Sequence, residues 1–99
     1  MKREEIENRL KKYLERDRSG IRKELLKILL EGEKYTTDEI YAKLKERVST
    51  SNINKSGVSA MVGLMCARLG ILKTELGEKN RYYIKPEYAD LVREAVEKF

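Results

Sequence analysis

The chain has 99 residues, enough for one domain, and it carries 22 Lys and Arg against 17 Asp and Glu, a formal net charge of +5. One cysteine and no histidine exclude an internal disulfide, a zinc site and the commonest general base. There is no apolar run of about 18–20 residues that would span a membrane, and no secretory leader opens the chain. We therefore expect a cytoplasmic protein without a metal or another cofactor.

The first third of the chain predicts two amphipathic helices. The first covers residues 3 to 17, and the second covers residues 20 to 31. Ser19 is a candidate N-cap of the second helix, and Gly32 follows where a C-cap glycine belongs. Apolar residues recur at helical spacing in the first helix at Ile6, Leu10, Tyr13 and Leu14.

The middle of the chain predicts two more helices joined by a short turn. Thr36 and Glu39 match a capping box that opens the third helix. The turn residues 49 to 52 end that helix. Asn54 is a candidate N-cap for a fourth helix from Lys55 to Leu69, which Gly70 ends.

The hydrophobic period then changes from helical to alternating. Residues 71 to 76 and 81 to 84 predict two strands of a β-hairpin, and Pro86 suits the first turn of a last helix. The apolar stripe of that helix has two interpretations: it covers the domain's own core, or it pairs with the first helix in a two-fold dimer. The stripe consists of Tyr88, Leu91, Val92, Ala95 and Phe99.

The predicted fold class is mainly α with a small β-hairpin, in one domain over residues 1–99. Two helices joined by a short turn and followed directly by a hairpin form the layout of a winged helix-turn-helix. The segment from Tyr35 to Lys85 resembles the winged helix-turn-helix of MarR, ArsR and PadR transcription regulators, and helices at 1–34 and 86–99 flank it. The matching motifs lie at residues 36–40, 53–59, 69–72 and 81–84. The whole chain is also similar to small winged-helix proteins of archaea.

This resemblance implies a dimeric transcription regulator that binds double-stranded DNA. The helix at 55–69 would enter the major groove, and the wing at 71–84 would approach the backbone or the minor groove. Lys55 and Arg68 would neutralise phosphates, Ser56 and Ser59 would hydrogen-bond a base edge or a phosphate, and Ala60 would touch a thymine methyl group. The exposed set implied for the helix is Lys55, Ser56, Ser59, Ala60, Gly63 and Arg68, and the set for the wing is Lys73, Lys79 and Arg81.

The helix at 55–69 departs from that family because it carries no charged residue between Lys55 and Arg68. This departure keeps a second function open, a winged helix that binds a protein partner in a transcription or chromatin assembly. Met61 and Leu64 would then be exposed. An enzyme is not expected, because the sequence has neither a phosphate-binding loop nor a nucleophile-elbow motif.

Charge is distributed unevenly along the chain. Residues 71 to 85 carry four basic and two acidic groups, while residues 86 to 99 carry two basic and four acidic groups. This difference favours the wing as the side that faces nucleic acid. The N-terminal cations form either a solvated face or an auxiliary phosphate contact. They are Lys11, Lys12, Arg16, Arg18, Arg22, Lys23 and Lys27.

Two smaller features complete the prediction. Cys66 lies in an apolar helix, which favours a packing role over a redox sensor. Abundant Glu and Lys without Gln resemble the composition of hyperthermophile proteins. We therefore expect a melting temperature above the range of about 45–65 °C that is typical of mesophile domains.

Overall fold

A computed structural model describes residues 2–17, 19–48 and 52–99. In that part of the chain it contains five α-helices and one two-stranded sheet, which confirms a mainly α fold with a small hairpin. The elements are, in order, α1 (Arg3–Glu15), α2 (Ile21–Leu29), α3 (Thr37–Arg47), α4 (Lys55–Ala67), β1 (Leu72–Glu75), β2 (Arg81–Ile84) and α5 (Ala89–Lys98), with a single 3₁₀ turn at Pro86–Tyr88 before α5. Arg18 and most of the predicted turn, residues 49 to 51, lie outside the described residues.

The side chains that begin α3 and α4 are those predicted from the sequence. The Thr36 hydroxyl accepts the Glu39 backbone N–H at 3.2 Å, and the Glu39 carboxylate accepts the Thr36 backbone N–H at 2.9 Å. At α4, the Asn54 side-chain oxygen accepts the Gly57 backbone N–H at 2.7 Å. Each contact satisfies an N–H group that the first helical turn leaves without a backbone partner.

The predicted cap of α2 is wrong. Ser19 does not cap the helix; Gly20 takes the N-cap position with a left-handed φ of 79° and makes no side-chain cap. The Asp17 carboxylate instead accepts the backbone N–H groups of Arg22 and Lys23, each at 3.2 Å. A carboxylate serves this position well, because its two oxygens reach two donors and its charge complements the positive end of the helix.

A single core lies among the five helices and the inner face of the hairpin. Helix α3 packs between α2 and α4, while α5 packs on α1 and α2. Leu91, Val92 and Ala95 of the C-terminal stripe are buried, and Tyr88 and Phe99 pack at its edge. The stripe therefore covers the chain's own core, the first of the two interpretations.

The hairpin is joined to the segment that precedes α3. Its strands pair antiparallel, with Leu72 opposite Ile84 and Glu75 opposite Arg81. Tyr35 forms an isolated bridge with Tyr82, in which each backbone N–H donates to the other residue's carbonyl, at 3.1 and 2.8 Å. The bridge fixes the hairpin against the start of α3, a contact that the sequence analysis did not predict.

The transition from α4 to the hairpin depends on Gly70. This glycine has a φ of 69°, and the following Ile71 N–H donates back to the Met65 carbonyl at 3.1 Å. That arrangement ends the helix with a left-handed residue, which glycine adopts without steric cost. It directs the chain straight into β1, so α4 and the hairpin are held together. Among the described helices, none is long and apolar enough to cross a bilayer.

Candidate nucleic-acid interface

Helix α4 has one buried face and one exposed face. Val58, Val62 and Met65 are buried in the core. The opposite face consists of small or short polar side chains, with a single cation at its start. Its exposed members are Lys55, Ser56, Gly57, Ser59, Ala60, Gly63 and Ala67. Five of the six residues implied for this helix, all except Arg68, therefore share one solvent-facing surface.

Gly63 lies at the middle of this exposed face in ordinary helical conformation. A Cβ atom built on it would meet no heavy atom within 4 Å. Glycine in a helix interior costs about 1 kcal/mol relative to alanine. Nothing in the described residues requires a glycine here, so it leaves the helix backbone open to close approach from outside the chain.

Asp38 links the start of α4 to the tip of the hairpin. Its carboxylate lies 3.5 Å from the Lys55 ammonium and 3.4 Å from the Lys79 ammonium. The charge of Lys55, and then the hydrogen bond from Lys79, hold the pKa of Asp38 below its ordinary value. Lys55 and Lys79, two of the predicted DNA-binding cations, are thus brought together, but both form ion pairs with the Asp38 carboxylate.

The outer face of the hairpin carries the two other wing residues. Lys73 pairs across the strands with Tyr83, and Arg81 pairs with Glu75, so all four side chains share one face. Lys73 and Arg81 are exposed. Lys34 joins this face from the segment before α3, because its ammonium lies 2.6 Å from the Glu75 carboxylate and 4.9 Å from the Tyr83 ring centroid.

The structure does not place Arg68 with the other predicted residues. Arg68 is the C-cap of α4, thirteen residues after Lys55, and this separation is about 20 Å along a helix. Its carbonyl accepts a hydrogen bond from the Arg9 guanidinium of α1 at 3.0 Å. Arg68 lines a cavity together with residues of α1 and α2, away from the hairpin tip.

Two residues that the alternative function would expose are only partly exposed. Met61 and Leu64 are half-buried and pack against the core at the edge of the α4 surface. Cys66 is also half-buried, and burial raises the pKa of its thiol. A raised pKa disfavours the reactive thiolate at neutral pH, which supports a packing role.

Two members of this surface, Asp38 and Lys34, were not predicted from the sequence. Asp38 was visible only as a residue of a capping box, and Lys34 as one charge among many. Their positions depend on tertiary contacts across 41 residues of sequence, from Asp38 to Lys79 and from Lys34 to Glu75. No local sequence pattern predicts such long-range contacts.

The fold and the surface define a small, mainly helical domain with a basic hairpin next to an exposed, weakly charged helix. Residues 10–92 match the protein family of unknown function DUF2551, and the chain belongs to that family. A protein of Archaeoglobus fulgidus described as uncharacterized is 66% identical over 95 residues, which cover 96% of each chain. No solved structure matches the chain.

Proposed function

We propose that this chain is a winged-helix protein that binds double-stranded DNA and acts as a transcription regulator. Helix α4 would lie in the major groove, and the β1–β2 hairpin would be the wing. The observation that carries the proposal is the exposed face of α4, which is narrow and free of bulky side chains, with the hairpin held beside its first turn through Asp38.

Helix α4 has the dimensions and the surface that groove binding requires. A major groove about 12 Å wide admits one α-helix. Ser56, Ser59 and Ala60 are small and exposed, so the helix axis can approach the base edges closely. The two hydroxyls can donate to or accept from bases and phosphates, and Ala60 offers an apolar contact to a thymine methyl group.

The cations of the interface suit phosphates better than base edges. Lys55 begins α4, and Lys73, Lys79 and Arg81 lie on the hairpin. In the described part of α4, the exposed face offers no Asn, Gln or Arg to grip a base in a bidentate manner. Affinity would therefore come mainly from contacts with the phosphate backbone of the duplex and would fall steeply with salt. Sequence preference would come from contacts of the serine hydroxyls and from the shape of the duplex.

Two copies per site are part of the proposal. Each copy contributes few cations, and a two-fold pair would place two α4 helices in successive major grooves about one helical turn apart. Light scattering of the protein on a palindromic duplex should give two chains of 11.6 kDa per complex. A stoichiometry of one chain per duplex would overturn this part alone.

Ala60→Glu tests the interface directly. The substitution places a carboxylate on an exposed helical position, so it leaves the core intact and repels phosphates. Fluorescence anisotropy with a labelled duplex should show an affinity loss of about tenfold or more. Lys98→Gln is the control, because it lowers the net charge equally on α5.

The control separates local repulsion from a change in total charge. Equal binding by both variants would contradict the placement of α4 in the groove. If the unmodified protein binds no duplex at low salt and a stoichiometric protein partner is recovered instead, the surface serves the alternative function, protein recognition.

A further inference from the structure

A cavity on the side of α4 away from the hairpin tip has five cations among its eight lining residues. Its volume is about 570 Å³, and it lies between α1, the start of α2 and the end of α4. Tyr13, Leu64 and Leu69 form its less polar wall. The charged lining residues, which define the basic cavity, are Arg9, Lys12, Arg16, Arg22 and Arg68.

Ion pairs within the described residues leave most of the charge around the cavity unbalanced. No acidic residue lines the basic cavity. Across the described residues, Lys12, Arg16, Arg22 and Arg68 form no ion pair, although eight other close cation–carboxylate contacts are present. Asp17 is nearby in sequence, but its carboxylate accepts the backbone N–H groups at the start of α2. These four like charges around one cavity repel each other, and an anion bound among them would relieve that repulsion.

Two of the arginines are positioned by contacts within the protein. The Arg22 guanidinium lies 4.1 Å from the Tyr13 ring centroid and donates to the Tyr13 carbonyl at 2.7 Å. Arg9 donates to the Arg68 carbonyl at 3.0 Å. These contacts restrain long side chains before any ligand arrives, which lowers the entropy cost of binding. The Arg22 guanidinium has five N–H donors, of which the Tyr13 carbonyl takes one.

We infer that the basic cavity binds an anion that carries two or more phosphate groups. Guanidinium groups match phosphate oxygens in a planar, bidentate geometry. One phosphate group carries a charge of about −1.5 to −2, too little to balance the four cations that form no ion pair. The cavity volume falls within the range of about 300–1,000 Å³ that is usual for small-molecule sites.

Such an anion has two sources. It is either a free organic polyphosphate, such as a nucleotide, or successive phosphates of a duplex backbone. The inference does not rest on the proposed function, because a free polyphosphate would bind here whether or not α4 enters a groove. The test therefore uses inorganic tripolyphosphate as the first probe and a labelled duplex as the second.

Lys12→Gln combined with Arg16→Gln is the test variant. Lys12 lies on α1 and Arg16 is the C-cap of that helix; both side chains are exposed and make no ion pair among the described residues, so the fold should be retained, which circular dichroism checks. Calorimetry with tripolyphosphate should show an affinity loss of about tenfold or more for each charged contact removed. Lys45→Gln combined with Lys98→Gln is the matched control, because it removes two exposed cations elsewhere and should bind as the unmodified protein does.

The measurements with the labelled duplex show which of the two sources supplies the anion. Weakened binding of both probes identifies the duplex backbone, whereas weakened tripolyphosphate binding with unchanged duplex binding identifies a free polyphosphate; either result supports the site. The inference is overturned if the unmodified protein gives no saturable binding of tripolyphosphate at millimolar concentration. It is also overturned if the test and control variants lose affinity equally.

Discussion

Asp38 is the residue that limits the positive charge of the proposed interface. Its carboxylate neutralises part of the charge of Lys55 and Lys79, and it lies where phosphates of a bound duplex would approach. Duplex binding must therefore compete with this carboxylate for the same two ammonium groups.

Asp38→Asn should strengthen duplex binding. Removal of the carboxylate releases two lysines for phosphates, so we expect an affinity gain of about three- to tenfold at low salt and a steeper salt dependence. Anisotropy titrations at several salt concentrations measure both effects. Asp90→Asn is the matched control, because Asp90 is also an exposed carboxylate in an ion pair, with Arg3. Equal gains in the two variants would show that only net charge matters.

Gly63→Ala should stabilise the fold. The added methyl group meets no atom within 4 Å, and the helical backbone suits alanine, so the free energy of unfolding should rise by about 1 kcal/mol. For a chain of this size the melting temperature should rise by about 4–8 °C. Gly57→Ala is the control, because its Cβ would lie 3.2 Å from the capping oxygen of Asn54; it should stabilise less. A lower melting temperature for Gly63→Ala would contradict the conclusion that the helix surface has room for a methyl group at this position.

The hairpin is the element that carries most of the interface charge. Lys79 at its tip and Arg81 at the start of β2 are both exposed. Changing both to Ala should weaken binding to all duplexes by a similar factor and reduce the salt slope by about two, because phosphate contacts carry no sequence information. Anisotropy with several unrelated duplexes measures this. Unchanged binding would contradict the assignment of the hairpin as a wing.

Among the elements, local signals predicted the helices and the hairpin well. Periodicity and the caps at Thr36 and Asn54 depend on residues within one or two turns, so the sequence contains the whole signal. The start of α2 was predicted less well, because Gly20 makes a left-handed turn that brings the Asp17 carboxylate, not Ser19, to the helix. Contacts between elements, such as Tyr35 with Tyr82, depend on the packing of the complete chain.

The same distinction applies to the candidate site. The resemblance to a winged helix-turn-helix identified most of the exposed face of α4, where Ser56, Ser59, Ala60 and Gly63 lie opposite the buried residues. It could not show that Arg68 joins α1 and α2 in a separate basic cavity, because that depends on how three helices meet.

At the scale of the whole molecule, stability should be nearly constant between about pH 5 and 8. The chain has no histidine. Hydrogen bonds and neighbouring cations lower the pKa values of Asp38, Glu39, Glu75 and Asp90. Burial raises the pKa values of Tyr13 and Cys66. No shifted group therefore titrates near neutrality.

The sign of the acid effect follows from these directions. A carboxylate whose folded pKa is lowered contributes its full stabilisation above its unfolded pKa of about 4 and loses it as the pH falls through the folded value. Melting temperatures from pH 3 to 8 should therefore fall only on the acid side. Glu39→Gln, which preserves the capping box but removes the ionisable group, should reduce that fall. A transition between pH 5 and 8 would contradict this account.

The central claim is that α4 and the hairpin bind duplex DNA. The most direct test is to incubate the purified protein with sheared genomic DNA from its source at two salt concentrations and to sequence the retained fragments, with Ala60→Glu in parallel. We predict that the protein enriches fragments sharing a two-fold symmetric site, that the higher salt weakens retention but leaves this site enriched over other fragments, and that Ala60→Glu abolishes the enrichment. Retention of no duplex at either salt concentration, or equal enrichment by Ala60→Glu, would contradict the claim.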